Sequence, residues 1–317
     1  MLPFVARRGA GMLVSVALVI TIAFILIKLV PGTPAAVILG SNATPEQIAK
    51  LNATWGYDKP LYVQYYRYVV NLFHGDLGIS LYFREPVLTI IGQRSEESGF
   101  LGVMALLVVV GIGLPAGVIG ALRPNSFTDN VLLLIALAGA SIPSFWLGLM
   151  LMVLFAGTLH WLPSSGFTSV LQTGNLANLK NLILPAFALG FVNAALVART
   201  ARSSMLDVLL TDYVTTARSK GLAERIVIVK HALRNAAIPV LTVVSFTFAS
   251  LVSGAVVTEN VFALPGIGSL IVSSVLRRDY PVIQGIMIIV AILYVGLNFL
   301  TDLAYAFLDP RIRYGEK

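Results

Sequence analysis

Few side chains in this 317-residue chain are placed to do chemistry, and their spacing narrows what they could do. His74, His160 and His231 lie far apart and none sits in an HExxH pattern, so they do not read as a metal site. His231 reads as a residue that packs a loop. There is no cysteine, hence no disulfide framework and no thiolate metal site. No lysine follows a glycine, so a phosphate loop ending in Gly-Lys-Ser/Thr is missing, and any ATP must be hydrolysed on another polypeptide. A membrane hydrolase needs a nucleophile with a base, or two facing carboxylates. Asp302 is the only acid well inside an apolar run, and it lacks an acidic partner. An acid within a span is a functional candidate by default. Asp302 lies near the end of its run, however, where pairing with Arg199 or Arg202 is the plainer role. An ion- or proton-coupled secondary transporter places ionisable groups near the membrane midplane, and no convincing set is found here. That reading stays as the alternative, with a membrane-embedded enzyme behind it.

The elements that carry these residues are apolar helices. Charged residues make up 12% of the chain, against roughly 25% in soluble domains, and mean hydropathy is +0.86. Such a chain cannot hide its apolar surface in one water-soluble core, so it reads as an all-α, polytopic membrane protein with about six transmembrane helices. The net charge of +7 gives no nucleic-acid face, because the basic residues cluster between apolar spans and serve orientation in the membrane. Spans are expected at about 11–30, 99–122, 131–159 (with Pro143 inside), 182–198, 238–257 and 283–303. The inner segments then hold Arg7, Arg8, Arg123, Arg199, Arg202, Arg218, Lys220, Arg225, Lys230, Arg234, Arg311, Arg313 and Lys317. The short outer ones hold only Lys180, Arg277 and Arg278. Both termini are therefore expected inside.

Four regions follow. Residues 1–30 are an inner N-terminus and the first span, in which Lys28 can snorkel to the headgroups. Residues 31–97 form a long external loop. Thr44-Pro45-Glu46-Gln47 supplies an N-cap, a first-turn proline and a glutamine at N3, starting a helix that ends at Gly56. A second amphipathic helix starts after Pro60, carries Leu61, Tyr65, Tyr68 and Leu72 on one side, and ends near Gly75. Residues 98–308 are a five-helix core containing an inner loop at 199–237, and 309–317 are an inner tail. Two details stay open. Gly113 and Gly117 either let two helices approach closely or kink their span. Arg94-Ser95-Glu96-Glu97-Ser98 makes the entrance of span two unusually charged.

The organising stretch is Asp212 to Pro239, a basic island between apolar runs. Met205, Leu209, Tyr213 and Ala217 recur every four positions and are expected on one helical face. Arg218 and Lys220 suit the last turn of a helix, and Gly221 suits the left-handed residue that ends it. A second helix is expected from Glu224 to Asn235. The island therefore reads as helix, glycine turn, helix at a membrane surface.

The order of residues in the island carries more than its composition. Tyr213, Thr216-Ala217-Arg218, Lys220-Gly221-Leu222, His231-Ala232-Leu233-Arg234-Asn235 and Pro239 resemble the cytoplasmic coupling loop of ABC-importer permeases. The likeness is to the dipeptide, oligopeptide and nickel permease family. Thr215-Thr216-Ala217 stands where many importers carry Glu-Ala-Ala, and the proline comes late, at Pro239, as is usual in that branch. Further wording similar to the family is found in Pro31-Gly32-Thr33-Pro34-Ala35, Gly75-Asp76-Leu77-Gly78-Ile79-Ser80, Leu162-Pro163-Ser164-Ser165-Gly166, Glu259-Asn260-Val261-Phe262, Leu264-Pro265-Gly266-Ile267-Gly268 and Arg278-Asp279-Tyr280-Pro281. The long loop after span one resembles the first of the two permease subunits.

The resemblance implies a bacterial inner-membrane subunit that imports peptides or a related small solute, such as a nickel chelate or a glutathione-like molecule. It implies a homologous second permease, two ATP-binding subunits that hold ATP and Mg, an external substrate-binding protein, and no cofactor in this chain. It also implies that Tyr213, Thr216, Ala217, Arg218, Lys220, Gly221, Leu222 and Glu224 couple ATPase closure to alternating access, with a small Ala217 allowing close approach to the ATPase.

Overall fold

The computed structural model describes residues 2–29, Ala35, Leu39 and 43–308. The Pro31 to Pro34 wording and the 309–317 tail lie outside the described residues. Among those described there is no strand, only an isolated bridge between Ile79 and Pro86. Contacts divide the described residues into two compact units, one of 96–268 with 2–5 and 297–308, the other drawn from 6–95 with 269–296.

In the second unit, helix α1 (Leu2–Leu29) carries an apolar span over Arg8–Leu26. Helix α2 (Pro45–Trp55) opens with the expected capping box. The Gln47 N–H donates to the Thr44 hydroxyl, the Thr44 N–H donates to the Gln47 side chain, and Gly56 closes the helix at φ +73°. Helix α3 (Leu61–Phe73) follows Pro60. Lys28, near the end of α1, is engaged by α3. Its ammonium donates to Gln64 Oε1 at 2.5 Å and sits 4.5 Å from the centre of the Tyr57 ring.

Helix α4 (Val87–Leu122) begins well before residue 98, so the last part of the 31–97 segment is helical. Its charged stretch is used in the first unit. Glu96 accepts from the Ser169 hydroxyl and from the Val170 and Leu171 N–H groups at 2.5, 2.7 and 2.9 Å, capping a single helical turn, α7 (Val170–Thr173).

The third span is not one straight helix. Pro143 separates α5 (Phe127–Ser141) from α6 (Ser144–Thr158), and the two axes differ by 103°. Among the described residues five helices are long and apolar enough to cross a membrane, or six if this pair counts as one span.

The core of the first unit lies between α4, α8 (Lys180–Leu209) and α10 (Glu224–Val261), around Leu101, Ala105, Leu182, Leu189, Val197 and Leu251. Gly113 and Gly117 are where α4 and α8 nearly touch. A Cβ on Gly113 would lie 2.7 Å from the Ala194 carbonyl oxygen, and one on Gly117 would lie 2.6 Å from the Ala201 Cβ. Close approach, rather than a kink, accounts for these glycines. Gly117→Leu should therefore force α4 and α8 apart at about 1–3 kcal/mol or more. The check is thermal unfolding in detergent beside the lipid-side control Ile119→Ala, and equal midpoints for the two would refute the contact. Two further helices follow, α11 (Ile267–Leu276) and α12 (Tyr280–Leu308).

Candidate functional site

The basic island folds as a short helix held between two long ones. Helix α8 stops at Leu209, capped by Leu210. Thr211 then turns extended (φ −78°, ψ 149°), and its carbonyl receives the N–H groups of Val214 and Thr215, which starts α9 (Asp212–Ser219). Asp212 in the first turn and Arg218 in the last both suit the helix dipole. The chain leaves α9 through Lys220 and Gly221, which takes φ +74° and donates its N–H to the Arg218 carbonyl at 2.9 Å. Arg218 then pairs with Glu224 across the turn at 2.8 Å, and this partner holds the Glu224 end of α10 beside α9. Both side chains are exposed, so the pair adds little stability.

The underside of α9 is apolar. Val214 and Ala217 are buried against Val227 of α10, with Val208 and Leu209 of α8 beside them. Tyr213 bridges to α10, its hydroxyl accepting from Asn235 Nδ2 at 2.7 Å and donating to the His231 carbonyl at 3.4 Å. The upper side is open. Thr215, Thr216, Ser219, Lys220, Gly221 and Leu222 are all exposed. The Thr216 hydroxyl is spent on the Asp212 carbonyl at 2.8 Å. No side chain here is a nucleophile with a base. Among the described residues no three His, Asp or Glu side chains converge to hold a metal. The arrangement is an exposed polar face on a short helix that packs against two long ones. Helix α10 spans 38 residues, where about 20 suffice to cross a bilayer.

The structure brings all eight expected residues, Tyr213, Thr216, Ala217, Arg218, Lys220, Gly221, Leu222 and Glu224, into this one segment, but it revises three of the readings. Met205, Leu209, Tyr213 and Ala217 do not share one helical face, because the break at Leu210 and Thr211 separates α8 from α9. Met205 packs instead with Ala121, Ala232 and Ala236. Ala217 points inward, so its small size serves the packing on Val227 and not close approach to a partner. The helix expected from 224 to 235 is also longer. It runs on through a π-helical stretch, Val227–Ala232, and through Pro239 to Val261.

Three buried acids of this unit, Glu97, Asp129 and Glu259, were not expected from the sequence. Asp129, 1% exposed, receives two hydrogen bonds from Arg202, at 2.6 and 2.7 Å, and one from the Asn125 N–H at 2.9 Å. Arg202 is thus engaged by Asp129, not by Asp302 as the sequence suggests. Ser126, whose hydroxyl accepts from the Asp129 N–H, caps α5. That Ser-x-x-Asp spacing was the available signal.

Glu259 is fully buried and accepts from the Ser98 hydroxyl at 2.6 Å, while Ser98 accepts from the Ile267 N–H at 2.7 Å. A Cβ on Gly266 or Gly268 would meet the Glu259 carboxylate at 2.5 or 2.9 Å. The Pro-Gly-Ile-Gly wording therefore exists to lay backbone against that carboxylate.

The second unit has a buried acid of its own. Asp279 accepts from the Ser80 hydroxyl and from the Leu81 and Tyr82 N–H groups, and Arg277 stacks 3.6 Å over the Tyr82 ring.

Comparison with known proteins converges on one family. Residues 113–314 match the family described as binding-protein-dependent transport system inner membrane component, and residues 1–94 match its N-terminal membrane component. The dipeptide transport system permease protein DppB of Alkalihalophilus pseudofirmus is 41% identical over 98% of this chain and 99% of its own. The di/tripeptide transport system permease protein DppB of Pseudomonas aeruginosa is 42% identical, and the dipeptide transport system permease protein DppB of Escherichia coli is 38% identical, each over 99% of both chains. A chain from inward-facing structures of the MetNI methionine ABC transporter superposes with a TM-score of 0.58 at 18% identity, covering 71% of this chain and 99% of that one, which speaks for the fold alone.

Proposed function

Because this chain belongs to the family of inner-membrane components of binding-protein-dependent transport systems, we propose that it is the first, long-loop permease of a bacterial peptide importer. It lies in the inner membrane with both termini in the cytoplasm. A homologous second permease completes the pathway, two ATP-binding subunits hold ATP and Mg, and an external binding protein delivers substrate. The observation that carries the reading is α9, a short helix closed by Gly221 and seated between two long apolar helices. Its exposed side seats in a groove of one ATPase. Closure of the ATPases moves α8 and α10 as levers and turns the pathway between its two openings. The substrate class rests on relatives of similar length that are named for dipeptides and tripeptides.

Uptake of a labelled dipeptide by cells with and without the ATP-binding subunits tests the reading directly. Uptake should vanish without them and persist when proton and sodium gradients are collapsed under maintained ATP. Persistence without the ATPases would defeat it. Topology is tested separately, since the chain has no cysteine. In whole cells an impermeant thiol reagent should label Lys50→Cys in α2 and spare Ser219→Cys in α9; the reverse pattern would invert the orientation.

A further inference from the structure

Helix α3 presents two faces whose neighbours differ. On one, Gln64, Tyr65 and Tyr68 meet α1. The Tyr65 hydroxyl lies 2.8 Å from that of Thr21, the Phe24 ring contacts Tyr65 edge-on at 5.3 Å and Tyr68 at 5.6 Å, and Lys28 donates to Gln64. On another, Tyr62, Tyr66 and Phe73 are 75%, 70% and 87% exposed. At about 100° per residue they fall within an arc of roughly 40°, a single stripe of aromatic rings along the helix. Arg67 and Asn71 lie away from the stripe, and the thirteen-residue helix carries one cation and no acid.

The contacts with α1 fix the depth of α3. Thr21 is five residues inside the apolar span that ends at Leu26, about 7 Å along the axis. A helix whose tyrosine reaches that far in cannot ride in water above the membrane. Beside Thr21 on α1, Ile22, Ile25 and Leu26 are themselves exposed, so the apolar surface of the span continues past α3. Tyrosine and phenylalanine are side chains that settle at the boundary between headgroups and acyl chains. In-plane amphipathic helices sink about 5–10 Å there.

We propose that the Tyr62, Tyr66 and Phe73 face of α3 is a lipid-binding surface, seated among phospholipids at the headgroup–acyl boundary around the outer end of α1. Helix α3 thus anchors the segment between the first two spans, and a docking binding protein meets α2 and the turns rather than the aromatic stripe.

The test uses the whole transporter in nanodiscs of phosphatidylethanolamine and phosphatidylglycerol, with cysteines of the other subunits replaced. Nitroxide labels go singly on Tyr66→Cys, Phe73→Cys, Asn71→Cys and, as a span control, Ile22→Cys. Collisions with oxygen should exceed those with a water-soluble nickel chelate several-fold at 66, 73 and 22, and the order should reverse at 71. Nickel-dominated collisions at 66 and 73, with 22 still reading as lipid, would overturn the proposal and leave the membrane reading of α1 standing. A nickel-dominated 22 would instead sink the spanning reading itself. Sites 66 and 73 closed to both reagents would show that another subunit covers the stripe. Sites open to water until binding protein is added would show that the binding protein does. Either result overturns a lipid partner. Tyr66→Trp gives a second reading without a label: its fluorescence, compared with the parent chain, should be quenched by lipids brominated near the glycerol backbone. Unchanged emission would count against the proposal.

Discussion

Replacing Gly221 should abolish most transport while leaving the permease in the membrane at its usual amount, and the size of the loss should follow the backbone and not the volume of the new side chain. Gly221 sits at φ +74°, and a Cβ built there meets nothing within 4 Å. Steric fit is therefore no obstacle. The cost is that of a left-handed residue, roughly 1–2 kcal/mol for an ordinary L-residue and least for asparagine. A penalty of that size cannot unfold a bundle built on long apolar helices. It is enough to reduce the ordered turn by roughly five- to thirtyfold, which moves Lys220, Leu222 and the Arg218–Glu224 pair off the position α9 gives them. The expected order of dipeptide uptake is Gly221, then Asn, then Ala, then Val. ATP hydrolysis measured in the same membranes should lose its response to binding protein in the same order. Full uptake by Gly221→Val at normal abundance would show that the turn transmits nothing.

How much of this was legible beforehand differs from one element to the next. The capping box of α2 and the glycine that ends α9 are local devices. The residues that make them lie within four positions of each other, so their spacing identifies them. The short α9 was only half legible. Met205, Leu209, Tyr213 and Ala217 keep a four-residue period straight through a helix break, because Thr211 turns the chain without any glycine or proline to mark the place. Span three was drawn as one helix although its proline was visible, since a proline in sequence does not say whether a helix bends slightly or by 103°. Long-range polar pairs were the least legible. Arg202 has two acids at plausible depths, Asp129 and Asp302, and only the packing of α5 on α8 decides between them. Glu259 and Ser98, 161 residues apart, had no sequence signal beyond the glycines that crowd the carboxylate.

The Asp129–Arg202 pair is where the second large effect is expected. Asp129 is almost wholly buried, and both its oxygens are taken by Arg202 in a fork that ties the first turn of α5 to α8. Gly120 of α4 completes the seat, since a Cβ there would lie 2.9 Å from Asp129 Oδ1 and 3.5 Å from Arg202 Cδ. Removing only the cation strands a buried carboxylate, which costs about 3–5 kcal/mol where a buried pair is broken. Arg202→Met should therefore lower the thermal midpoint of the detergent-solubilised permease sharply and reduce its amount in membranes. Neutralising the acid as well removes the stranded charge. The double variant Asp129→Asn with Arg202→Met should thus recover much of the loss, because replacing a buried ion pair by groups without charge is often close to neutral. Asp302→Asn serves as the comparison, because it offers the pairing that the sequence suggests. If Asp302→Asn with Arg202→Met recovered stability and the Asp129 double variant did not, Arg202 would answer to Asp302, and the packing of α5 on α8 described above would be wrong. With Asp129 as the partner, the two single substitutions should be strongly non-additive in the unfolding midpoint, whereas Asp302→Asn and Arg202→Met should simply add.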